Sequence, residues 1–96
     1  MPSITTLQSN EVASIRRDDP ELRKAGLVGY YFSPPLGEAV VASVIKVCPD
    51  AEFSDFVGAG KVIDMLSVPS SDETIAIDTV SSALRREGRA LIDHSL

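Results

Sequence analysis

The chain has 96 residues, 44% of them hydrophobic and 24% charged, a composition that fits one soluble domain with a modest core. Its formal net charge is -5, and from Asp50 to Asp78 seven acidic residues stand against the single Lys61. Such a middle segment repels polyphosphate, which argues against a nucleic-acid-coating role. No apolar run is long enough to cross a bilayer, residues 1–12 lack the basic and apolar parts of a secretory signal, and Cys48 is the only cysteine. The expected location is therefore the cytoplasm, with no internal disulfide.

In chain order, Ser9 or Asn10 is placed to cap a first helix with Val12 and Ile15 on one face. Asp19-Pro20 supplies a second cap and a proline at the first helical position, and Gly26 ends that short helix. "LVGYYFSPP" reads as a connection or a short extended segment, with Tyr30, Tyr31 and Phe32 packed over the core. Pro34 or Pro35 opens a helix striped by Leu36, Val40, Val44 and Val47, with Val41 and Ile45 widening the stripe and Pro49 stopping it. Asp50 then caps a short helix presenting Phe53, Phe56 and Val57, closed by Gly58. Another short helix carries Val62, Ile63 and Leu66 and stops at Pro69. Ser70 and Glu73 have capping-box spacing ahead of a helix of about twenty residues, striped by Ile77, Val80, Leu84 and Leu91. "TIAIDTV" (74–80) also alternates like a strand, and the two readings stand side by side.

"GAGK" at 58–61 is not a phosphate loop. A P-loop needs glycine five positions before its Gly-Lys pair and Ser or Thr after it, and this chain has Asp55 and Val62 there. Two short helices around a glycine turn instead give an expected fold that is mainly all-α: a small domain with a helix-turn-helix-like core and a long C-terminal helix. Residues 34–96 would form the core and 1–33 a helical extension and connection. In that frame 61–66 is the recognition helix, yet it offers only Lys61 for reading bases. A protein-binding surface is the more economical expectation. Its candidate residues are Lys61, Val62, Ile63, Met65 and Leu66, with Tyr30 and Tyr31 as a second patch. Four apolar residues within 62–66 cannot all face inward on one helical turn. The alternative is a DNA-binding regulator using Lys61, Arg85, Arg86 and Arg89. Against that alternative stands a solvated helix face, with the arginines paired to Glu87 or Asp93 and Arg89–Asp93 a weak i, i+4 helical pair.

Phe56, Gly58 and Val62, followed by Arg85, Arg86, Gly88, Arg89, Ala90 and Leu91, resemble a proteobacterial family of unknown-function domains. Its members are variant helix-turn-helix proteins of integrative and conjugative elements. The likeness covers about half the chain, inserts Glu87 into the Arg-Arg-Gly run, and lacks the tryptophan such proteins often carry. It implies an antiactivator that silences a transcriptional activator of conjugative transfer. The implied partners are a family-related activator or a LuxR-type quorum-sensing regulator. No cofactor, metal or catalytic residue is expected: His94 is the sole histidine, and neither Asp93 nor Cys48 completes a known constellation with it.

Overall fold

The computed structural model describes residues 10–17, 19–58 and 61–93. It is a mixed α/β domain, and the mainly all-α expectation is overturned by a five-stranded sheet. The strands are β1 (Glu11–Arg17), β2 (Leu27–Ser33), β3 (Glu52–Gly58), β4 (Lys61–Pro69) and β5 (Ala90–Asp93). The helices are α1 (Pro20–Lys24), α2 (Glu38–Val47) and α3 (Glu73–Arg86), with a short 3-10 turn at Ser70–Asp72. The sheet runs β3-β4-β2-β1-β5; β1 and β5 are parallel and every other neighbouring pair is antiparallel. From β2 onward the chain order is β-α-β-β-α-β, with β1 lying between β2 and β5.

Four expected features become strands. The expected first helix is β1, in which Val12 and Ser14 are buried on alternate positions while Ile15 lies exposed. The stretch read as a connection or a short extended segment is extended: it is β2, the central strand of the sheet, so residues 11–33 supply two of its five strands. The expected supporting and recognition helices are β3 and β4, antiparallel and in register from Glu52↔Ser67 to Gly58↔Lys61. Two apolar runs joined by Gly58-Ala59-Gly60-Lys61, with β3 and β4 only two residues apart, are a hairpin signal, and here that signal outranks the i, i+3, i+4 coincidence of Phe53, Phe56 and Val57.

The helices follow their local chemistry more closely. Asp19 caps α1 by accepting the Glu21 N–H at 2.9 Å, and Gly26 leaves the helix with φ +76. A cis Ser33–Pro34 bond leads out of β2 toward α2. α2 begins at Glu38 rather than at Pro34 or Pro35; of the expected stripe it buries Val40 and Val44, Leu36 is buried ahead of the helix, and Val47 and Ile45 are exposed. The capping box does not form, because no side chain caps α3 and Glu73 is engaged elsewhere. Residues 74–80 are helical, but α3 ends at Arg86 rather than running through Leu91. The stop is a glycine C-terminal motif: Gly88, at φ +75, donates to the Arg85 carbonyl at 3.0 Å and Arg89 donates to Leu84 at 2.8 Å. Leu91 then packs from β5, opposite Val12, and no helical Arg89–Asp93 pair arises.

α2 and α3 cover one face of the sheet. Val12 of β1, Val28, Tyr30 and Phe32 of β2, and Leu66 and Val68 of β4 meet Val40, Val44, Ala76, Val80 and Leu84 in a single core. Tyr30 and Phe32 sit with ring centroids 6.1 Å apart. Cys48 is buried at the end of α2, and burial raises its thiol pKa, the environment of an inert core cysteine.

Candidate functional site

Strand alternation assigns the remaining side chains to the sheet's second face. Ala13 and Ile15 of β1, Tyr31 and Ser33 of β2, and Ile63 of β4 line a concavity there of about 260 Å³. Met65, two residues beyond Ile63 and opposite Tyr31, extends the same face, and Ile92 lies opposite Ala13. Short α1 closes one end: Leu22 sits where a side chain on Gly29 would be, its Cδ1 2.7 Å from an ideal Cβ. Among the described residues no other helix covers this face, and Ile15 is 49% exposed. By the same alternation Glu11 of β1 and Glu52 of β3 stand with Arg17 around this face; the Arg17 Nη2 donates to Asp19 Oδ2 at 2.7 Å and its guanidinium lies 5.2 Å from the Tyr31 ring centroid.

The candidate binding residues thus separate by face. Ile63, Met65 and Tyr31 come together on the open face, while Leu66 and Tyr30 point into the core. Lys61 and Val62 begin β4, beside Gly58 and Val57. Ala13, Ile15 and Ile92 complete the face; Ile15 is expected from sequence beside Val12 on one helical face, and the alternation of "VASIR" in β1 is the signal that separates Ala13 and Ile15 from Val12. Arg85 and Arg86 occupy the exposed last turn of α3, where cations complement the helix dipole. Arg89 follows the helix, with Nη1 3.5 Å from Glu87. His94 lies outside the described residues.

A polar clamp ties the sheet to α3. Glu73 accepts from Arg16 Nε at 2.8 Å and from the Tyr30 hydroxyl. The hydrogen bond from Arg16 holds the Glu73 carboxyl below the usual glutamate range, burial opposing and Tyr30 assisting. Tyr30 is pushed up to about 12, chiefly by burial and then by the Glu73 carboxylate. A lowered carboxyl pKa stabilises the fold above the ordinary value of about 4.3 and loses that stabilisation as pH falls through the folded value. Glu73→Ala should cost about 1–2 kcal/mol at neutral pH, modest because Arg16 is half exposed. Urea denaturation should show the gap between wild type and variant closing in acid.

Asp64 has the opposite sign. It lies on the helix side of β4, 8% exposed, and its Oδ2 accepts the Leu36 N–H at 2.7 Å. Burial raises its pKa, the Leu36 bond opposes this, and Asp55, directly across on β3, adds to the rise. The folded state therefore holds a proton that the unfolded chain releases, and stability falls as pH rises from about 3.9 through the raised value. Asp64→Asn keeps an acceptor for Leu36 and should melt higher than wild type at pH 7, the advantage shrinking toward pH 4 in thermal scans.

These features define a two-layer α/β domain with one sheet face covered by helices and the other presenting an apolar patch rimmed by Glu11, Arg17 and Glu52. No protein-family model, curated protein or solved structure matches the chain. Among the described residues, no group of three His, Cys, Asp or Glu converges as a metal site, and no helix is long and apolar enough to cross a membrane.

Proposed function

We propose that this chain is an assembly module that works by binding protein, and that a second copy of itself covers the open sheet face. The observation that carries the reading is the apolar character of both sheet faces. An antiparallel sheet with one solvated face alternates apolar and polar residues, whereas β2 and β4 place Tyr31, Ile63 and Met65 opposite the side that builds the core. Strand spacing gives the patch roughly 400 Å², the size at which exposed apolar surface marks an interaction site.

Charge supports a copy as the occupant. Two chains of net charge -5 repel, so they meet best where carboxylates are absent. Ala13, Ile15, Tyr31, Ser33, Ile63 and Met65 carry no ionised group. The opposite layer also exposes apolar side chains, Ile45 at 38% and Val47 at 44% on α2. Sheet face against sheet face yields a two-fold dimer; sheet face against the α2 patch yields a head-to-tail contact, a ring where the rotation closes and an open filament where it does not.

Sedimentation equilibrium over a dilution series should show a concentration-dependent oligomer whose stoichiometry separates those two geometries. Silencing of a transcriptional activator, the role implied by the conjugative-element resemblance, is the competing occupant. A chain that stays monomeric and captures such an activator through Ile63 and Met65 would replace self-assembly with that role. A DNA-reading role has lost its recognition helix, since 61–66 belongs to β4.

A further inference from the structure

A second surface, separate from the open face, lies along the outer edge of β3. This strand ends the sheet, so one side of its backbone has no strand neighbour among the described residues. Beside it runs a groove of about 430 Å³ between β3 and α2. Phe53, Ser54 and Asp55, consecutive on β3, all line it. Successive strand residues point to opposite faces, so a groove touching all three reaches the strand edge itself. The far wall is Leu36 and Val41, with Glu38 at the start of α2 and Asp64 at the floor.

We propose that the β3 edge and this groove take an extended peptide segment of a partner protein, which adds as a sixth strand and places a lysine or arginine in the groove. Strand addition draws affinity from main-chain hydrogen bonds and specificity from pockets that accept alternate side chains. The groove supplies both halves of a basic side chain's requirements. Leu36, Val41 and Phe53 are apolar walls for its methylene stem, while Glu38, Asp55 and Asp64 surround its cationic head, with no basic residue among the described lining residues. Asp64 is held buried opposite another carboxylate at a cost to the fold, and a cation entering the groove relieves that cost.

The test uses three synthetic hexapeptides, Thr-Val-Lys-Val-Thr-Val and its Glu and norleucine counterparts at position three, acetylated and amidated. Each is titrated into the full chain and followed by backbone amide NMR. The lysine peptide should saturate and shift amides of β3 and of Leu36, while the glutamate peptide should not bind. Asp55→Asn and Asp64→Asn, each checked for folding by circular dichroism, should weaken the lysine peptide about tenfold. A proline placed at position four of the lysine peptide should abolish binding by removing a ladder donor. Equal binding of the lysine and norleucine peptides, shifts confined to Tyr31, Ile63 and Met65, or no saturation at millimolar peptide would overturn the proposal.

Discussion

Leu66→Arg should unfold the protein, whereas Met65→Arg, one residue away, should leave it folded. Leu66 is fully buried on the helix-covered side of β4 and belongs to the core with Phe32, Val40 and Val80. An arginine there extends into the core, and the carboxylates on that side of the sheet are already engaged, Glu73 by Arg16 and Tyr30 and Asp64 by the Leu36 N–H. A buried unpaired charge is among the few single changes that exceed about 4–5 kcal/mol, which rivals the whole stability of a small domain. Leu66→Ala, which only empties space, should cost about 2–5 kcal/mol. Met65 faces the other way, opposite Tyr31, and an arginine there reaches solvent. Circular dichroism and urea midpoints for the three variants decide the matter. A folded Leu66→Arg would refute the assignment of faces in β4.

The second large effect falls on assembly. Ile15→Asp and Ile63→Asp each put a charge into the concavity between β1, β2 and β4 while leaving the helix-covered core intact. A charge at the centre of an apolar contact should weaken association by at least about 2 kcal/mol, a factor of roughly 30. The double variant should sediment as a monomer at concentrations where wild type is assembled. Ile45→Asp, on the helical layer, separates the two geometries. It leaves a sheet-to-sheet dimer untouched and breaks a head-to-tail contact. Wild-type assembly that survives both sheet-face changes would place the interface elsewhere.

The helices were legible in the sequence because their signals are local. Asp19-Pro20 and Gly26 bracket α1, and the 3.6-residue stripe of α2 buries Val40 and Val44 as its spacing implies. The end of α3 was also written locally, in Gly88, but the apolar spacing from Leu84 to Leu91 masked it. The sheet was not legible for a reason that bears on function. In β4, Ile63 and Met65 face one side and Leu66 and Val68 the other, so the strand does not alternate cleanly. An apolar residue on every side of a segment looks the same to a periodicity test whether the segment is a helix or a two-sided strand. Of the apolar residues in 62–66, Ile63 and Met65 lie on the open sheet face, while Leu66 belongs to the core.

Glu73 shows a similar limit. Its spacing from Ser70 fits a capping box, but the carboxylate instead meets Arg16, distant in sequence and brought near only by the packing of α3 on the sheet. Asp64 and Asp55 likewise face each other only once the β3–β4 register is set. Neither pairing has a local signature.

The measurement that bears most directly on the open face as a contact between copies is an isotope-filtered NOE experiment. It uses a one-to-one mixture of methyl-labelled and unlabelled chain. Methyls of Ile15, Ile63 and Met65 should show intermolecular NOEs in the assembled protein. An oligomer whose Ile15, Ile63 and Met65 methyls show contacts only within their own chain, or a chain that remains monomeric at millimolar concentration, would contradict it.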